Sequence, residues 1–184
     1  MRLKEKISII TGAASGFGKG IAEKFSKEGA KLILADINKD LLEKVSKDLN
    51  QDFLHTDVAN SNSMKQLADY VLKKYGSIDI MVNNAGITHL PKPLEEVSEE
   101  EFDKVFAVNS KSVFLCGKFF IPHMKKQKKG SILNISSTAG ISPRPNLNWY
   151  NATKGWMITA TKAMAVELAP FNVRVNSLAP VAGE

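Results

Sequence analysis

Near its amino terminus the chain reads Ile7-Ser8-Ile9-Ile10-Thr11-Gly12-Ala13-Ala14-Ser15-Gly16-Phe17-Gly18. Ile7 to Thr11 is a short, largely β-branched run without polar/apolar alternation, the pattern of a strand buried on both faces. Glycines at 12, 16 and 18 then crowd a single turn, and a helical stretch over about 16–29 follows. A strand, a glycine turn and a helix open a βαβ unit.

The rest of the chain repeats that alternation. Further strands are expected at Leu32–Ala35, Phe53–Thr56, Ile78–Val82, Ser131–Ile135 and Val173–Leu178. Between them the helical stretches are about 38–50, 61–75, 98–128 and 150–170. Ser98 with Glu101 reads as a capping box opening the fourth helix, and Pro122 is expected to kink it near its end. Alternation at this spacing predicts an α/β fold, a doubly wound parallel sheet of Rossmann type with six strands. With no repeat or linker, residues 1–184 read as a single domain.

Composition narrows the function classes. The 184 residues are 43% hydrophobic and 24% charged, those of an ordinary globular protein. Cys116 is the single cysteine, which excludes an internal disulfide and fits a reducing compartment. His55, His89 and His123 lie far apart, so no metal site is expected. No apolar run approaches the ~18 residues that span a bilayer, and Met1 to Lys6 lacks a signal-peptide layout. A cytoplasmic protein without a membrane partner is the expectation. The net charge of +6 comes mainly from scattered lysines, which ranks nucleic-acid binding low. The densest run, Lys125 to Lys129, reads as cations at a helix C-terminus stopped by Gly130.

The glycine turn carries chemistry as well as a bend. Backbone without side chains can approach a pyrophosphate, and the N-terminus of the following helix supplies N–H groups and positive dipole. Glycines also end strands for steric reasons alone. Asp36, 18 residues after Gly18, closes the second strand, where its carboxylate can accept hydrogen bonds from ribose hydroxyls and repel a 2′-phosphate. Its neighbours Ser15 and Ile37 are not basic, so NAD is favoured over NADP. A turn starting at Asp36 before Asn38 is the structural alternative. Asp57 and Val58 follow the third strand and are placed to border the adenine.

Further motifs follow in order: Asn83-Asn84-Ala85-Gly86, Asn109, Asn134-Ile135-Ser136-Ser137, Tyr150-Asn151-Ala152-Thr153-Lys154 and Val173-Arg174-Val175-Asn176-Ser177-Leu178-Ala179-Pro180. Together with Thr11–Gly18 they span nearly the whole chain, which resembles the short-chain dehydrogenase/reductase family. The resemblance implies that Tyr150 is the catalytic tyrosine, Lys154 its partner, Ser137 the serine holding the substrate oxygen and Asn109 the fourth member of a tetrad. Ser137 is preferred to Ser136 because it stands 13 residues before Tyr150, as in the family pattern. Gly12, Ser15, Gly16, Phe17 and Gly18 would cradle the cofactor, Asn84, Ala85 and Gly86 would border the adenosine ribose, and Pro180 and Val181 would approach the nicotinamide.

The chemistry is consistent with those roles. Tyr150 and Lys154 are four apart and share a helix face, where an ammonium favours the phenolate. Tyr150 can then take an alcohol's proton as hydride leaves. Each residue also has a plain structural reading: a surface Tyr/Lys contact, a serine cap, a buried asparagine. His89 reads as a loop residue, Trp149 and Trp156 as packing, and Cys116 as a small buried side chain.

The resemblance implies an NAD-dependent oxidoreductase of a secondary alcohol or its ketone. The alternatives are an NADPH-dependent 3-oxoacyl thioester reductase, or a cofactor-binding protein without turnover. A small-molecule substrate would lie against Ile87–Pro93 and Gly140–Asn148, and subunits would pair through the helices at about 98–128 and 150–170. Family members continue past the sixth strand with a loop, a helix and a seventh strand, and have Pro-Gly where this chain reads Pro180-Val181-Ala182-Gly183. The domain is therefore expected to be incomplete at its C-terminus, with the last strand missing, the sixth strand an open edge and the pocket less covered.

Overall fold

Residues 1–181 are those that the structure, a computed structural model, describes. Ala182 and Gly183, part of the expected departure from Pro-Gly, lie outside them. The elements alternate as β1 (Ile7–Thr11), α1 (Gly16–Lys27), β2 (Lys31–Asp36), α2 (Lys39–Leu49), β3 (Asp52–His55), α3 (Ser61–Tyr75) and β4 (Ile80–Asn83). Then come α4 (Glu99–Phe106), α5 (Ser112–Gln127), β5 (Gly130–Ile135), α6 (Asn148–Leu168) and β6 (Val173–Leu178).

All strands pair in parallel in the order β3-β2-β1-β4-β5-β6. The chain reverses direction across the sheet between β1 and β4, and the crevice at their C-terminal ends is where such folds bind ligands. Neighbouring residues of β1 explain why the strands lack alternation. Ile9 enters one core with Met64, Leu67, Met81 and Phe120, while Ile10 enters the other with Leu32, Leu42, Val45 and Val82. Both faces are covered by helices, so both must be apolar.

Three expectations need correction. The fourth strand starts at Ile80 rather than Ile78, because the backbone of Ile78 is held by the Gln127 side chain, its N–H donating to Oε1 at 3.1 Å. The stretch 98–128 is not α-helical throughout: a π-turn over Ala107–Lys111, which contains Asn109, joins α4 to α5, and Pro122 lies inside α5. Nor does Gly130 stop that helix. Lys128 does, in a left-handed conformation with φ of 51°, while Gly130 begins β5, where a Cβ would stand 2.7 Å from Met124 Sδ. The capping box is present as expected: Ser98 Oγ accepts from Glu101 N–H at 3.2 Å, and Glu101 Oε2 from Ser98 N–H at 3.0 Å.

Candidate active site

The turn after β1 is shaped by what a side chain would strike. Gly12 has φ of +66°, and a Cβ there would stand 2.8 Å from Asn84 Nδ2. A Cβ on Gly18 would stand 1.9 Å from the Gly12 oxygen, so α1 rests directly on the turn. Gly16 differs: its φ is +51°, yet a Cβ would meet nothing within 4 Å. Ser15 is extended at the N-cap of α1, caps no N–H with its side chain, and no acid occupies the first turn. The helix start therefore keeps its N–H groups and dipole for an anion, beside an open cradle.

A threonine absent from the sequence-level candidates ties this turn to β4. Thr11 Oγ1 donates to the Val82 oxygen at 3.3 Å and accepts the N–H of Asn84 and of Ala85, each at 3.1 Å. Asn84 Nδ2 returns to the oxygens of Thr11 and Gly12 at 2.9 and 3.2 Å.

Asp36 starts the turn expected of it and also faces a cavity. Its carboxylate accepts from Ala14 N–H at 3.0 Å and from Asn38 N–H at 2.9 Å, holding the glycine turn and starting the turn into α2. It also lines a cavity of about 550 Å³ with Gly12, Ser15, Ile37, Asp57 and Val58. Asn84, Ala85, Gly86 and Phe17 line it too. Thr56, Lys104 and Val108 complete that wall without having been singled out; their only sequence signal is the periodicity of their elements. Lys104 is its single cation among the described residues.

A second cavity, about 360 Å³, shares Phe17, Asn84, Gly86 and Ile87 with the first and brings Ser137, Tyr150 and Lys154 together with Pro180 and Val181. Tyr150 and Lys154 sit one turn apart on α6, with Lys154 Nζ 5.8 Å from the centre of the Tyr150 ring. Nζ donates to the Ile135 oxygen at 2.9 Å, and burial alone pushes the Lys154 pKa down to about 8. A Cβ on Gly86 would crowd Nζ at 3.2 Å.

The two serines divide their bonds differently. Ser136 is buried and donates its hydroxyl to the Lys154 carbonyl at 2.8 Å. Ser137 Oγ instead accepts Ala139 N–H at 3.1 Å, which leaves its proton for another acceptor. The turn behind them packs tightly on α6, where a Cβ on Gly140 would stand 2.6 Å from Gly155 N.

Asn109, Gly16 and Gly18 line neither cavity. Asn109 is fully buried behind Gly86, its Oδ1 accepting Ile87 N–H at 2.9 Å. Its Nδ2 donates to the Ile87 oxygen at 2.9 Å and to Thr153 Oγ1 at 3.0 Å. The side chain thus clamps the β4 turn and α6 together from the π-turn, a bulge that often marks functional sites. His89 is buried in its loop with Nδ1 against the Leu90 oxygen. Trp149 and Trp156 pack edge-on against Phe102 and Phe106. Cys116 is buried away from both cavities, and burial pushes its thiol up to about 12. Among the described residues no helix is long and apolar enough to cross a membrane, and no group of three His, Cys, Asp or Glu could hold a metal.

An anion cradle adjoining a proton-transfer pair is what hydride exchange between a dinucleotide and an alcohol or carbonyl compound requires, and the class is a nicotinamide-dependent oxidoreductase. Residues 6–183 match the model of the short chain dehydrogenase family, and the chain belongs to that family. It is 42% identical over 185 residues to a 3-oxoacyl-[acyl-carrier-protein] reductase of Thermotoga maritima, covering 98% of this chain and 75% of that one. It is 38% identical to 4-formylbenzenesulfonate dehydrogenase of Comamonas testosteroni, covering 100% of this chain and 75% of the other. A solved 3-ketoacyl-(acyl-carrier-protein) reductase from Brucella melitensis, complexed with NADH, superposes with a TM-score of 0.96 at 44% identity. That match covers 98% of this chain and 77% of the other.

Proposed function

We propose that this oxidoreductase uses NAD in preference to NADP and exchanges hydride with a secondary alcohol or its ketone, through Tyr150, Lys154 and Ser137. The carrying observation is that these three residues line one cavity that shares Phe17, Asn84, Gly86 and Ile87 with the glycine-turn cavity. The open Gly16 cradle and the uncapped start of α1 fit a dinucleotide's phosphates. Asp36 on the wall supports NAD, since a carboxylate there repels a 2′-phosphate. Bound NAD supplies the hydride acceptor.

The rest of the mechanism belongs to the chain. Tyr150 takes the proton of the substrate hydroxyl in oxidation and returns it in reduction. Ser137 donates its unclaimed proton to the substrate oxygen and fixes its position. Lys154, held by Ile135, brings positive charge to the face it shares with Tyr150. Asn109 sets the spacing of α6 against the Gly86 turn.

A second reading, reduction of 3-oxoacyl thioesters with NADPH, is favoured by the names of the Thermotoga and Brucella relatives. Pairing of subunits through α4, α5 and α6 belongs to the same proposal, supported by exposed Phe102, Phe106, Phe114, Trp156 and Val166 on those helices. Cytoplasmic residence is supported by the single unpaired thiol.

Calorimetric titration of the chain with NAD and then NADP tests the cofactor, and NADH formation across a panel of secondary alcohols tests the chemistry. Tyr150→Phe is expected to lower turnover by about 10²–10⁴-fold, the worth of a general acid–base, while NAD still binds. Unchanged turnover would remove Tyr150 from its role, and NAD binding without turnover of any alcohol or thioester would leave a cofactor-binding protein.

A further inference from the structure

We infer that Arg144 anchors an anionic group, a carboxylate or sulfonate, borne by the alcohol or ketone that this site takes. The inference rests on the oxidoreductase reading above and adds to it the substrate's charge.

Arg144 lines the same cavity as Ser137, Tyr150 and Lys154. Among the described residues no Asp or Glu lines that cavity, whose other walls include the apolar Phe17, Ile87, Leu147 and Val181. Of its two cations, Lys154 is buried and bound to the Ile135 oxygen. Arg144 has no carboxylate within salt-bridge distance among the described residues. A guanidinium fork in a cavity whose described walls carry no acid is complementary to a planar carboxylate or a sulfonate.

The backbone that presents it is held. Pro143 and Pro145 flank Arg144, fixing their own φ and restricting the residues before them. The Arg144 oxygen accepts Asn151 Nδ2 at 2.7 Å, and Asn151 is the buried neighbour of Tyr150 on α6. Two residues on, the Asn146 oxygen accepts Lys92 N–H at 3.1 Å, which joins this loop to the segment after β4. The root of the guanidinium is therefore fixed relative to the proton-transfer pair. The cofactor's phosphates are a poor alternative partner, because Gly12 and Ser15 of the glycine turn line the other cavity, which Arg144 does not line.

The test compares 4-acetylbenzoate with acetophenone, which present the same ketone with and without a charge. In the presence of NADH, binding is read by calorimetry and turnover by NADH consumption, for the wild-type chain, Arg144→Gln and Arg144→Lys. The charged-to-neutral ratio of affinities, and of kcat/KM, is expected to fall about 10- to 100-fold in Arg144→Gln and less in Arg144→Lys. The wild-type preference should shrink as salt rises, because Arg144 is an exposed residue. The anchor is overturned when wild type binds the benzoate no better than acetophenone, or when Arg144→Gln weakens both alike. Arg144-dependent binding of the benzoate with no NADH consumed would keep the anchor and sink the oxidoreductase reading. NADH consumed with both ketones at a ratio that Arg144→Gln leaves unchanged would do the reverse.

Discussion

Lys154 shows how one residue sets function against stability. The residue is 4% exposed, its ammonium donates to the Ile135 oxygen, and desolvation lowers its pKa from 10.5 to about 8. At about 1.4 kcal/mol per unit, burying the charge costs folding on the order of 3 kcal/mol. The penalty is complete below about pH 8 and fades as pH rises to 10.5, where the unfolded chain also releases the proton. Lys154→Met is therefore expected to melt a few degrees higher than wild type at pH 7, with the gap closing toward pH 10, and to lose turnover. Thermal melts across that range check it, and a lower Tm for the variant at pH 7 would refute the burial argument. Ser136 and Ser137 make a related point: adjacent hydroxyls differ because one donates to the Lys154 carbonyl and the other accepts from Ala139.

At the scale of elements, α1 and the turn beneath it act as one unit. A methyl on Gly18 meets the Gly12 oxygen at 1.9 Å, so the backbone must part, whereas a methyl on Gly20 in the same helix meets nothing within 4 Å. Gly18→Ala is expected to destabilise by about 1–3 kcal/mol or more and to abolish NAD binding. Gly20→Ala should stabilise by about 0.5–1 kcal/mol, since alanine gains helix propensity at no steric cost. Urea denaturation with NAD titration separates the two, and similar behaviour of both would mean the turn is looser than its geometry indicates. The same scale accounts for the π-turn in the stretch 98–128. Asn109 bonds on three sides to Ile87 and Thr153, and a π-turn places it there; periodicity, which registers only neighbours along the helix, carries no sign of those partners.

The whole molecule presents two further surfaces, one at the N-terminal ends of its strands and one along its outer helices. At the N-terminal ends, Asp79 would be raised by burial, yet Lys129, the Ile7 N–H and Lys6 hold it below the usual carboxylate value. Because the folded pKa is lowered, the stabilisation is present at neutral pH and lost as acid protonates the folded carboxyl. Asp79→Asn should accordingly flatten the acid limb of a pH–stability profile; an unchanged limb would count against the cluster. Along the outer helices, Phe114 and Val166 are 58% and 79% exposed, more than a surface facing only water requires. A dimer through that face is expected by light scattering at micromolar concentration, and Val166→Glu should shift it toward monomer without lowering the Tm of the monomer. A wild-type monomer would exclude the interface.

What the sequence alone determined is what neighbours along the chain control. The β1 and β6 spans, the glycine turn, the Ser98–Glu101 capping box and the spacing of Ser137, Tyr150 and Lys154 are local patterns, and family resemblance gave the last of these its meaning. The tertiary structure alone decided which distant residues meet. It brought Thr11 under Asn84, Gly140 against Gly155, Lys104 onto the same cavity as Asp36, and Arg144 into the cavity of Tyr150. It also moved the helix stop from Gly130 to Lys128, because β5 needed the glycine for Met124. These are choices of packing between segments far apart in the chain, and no short window of residues contains both partners.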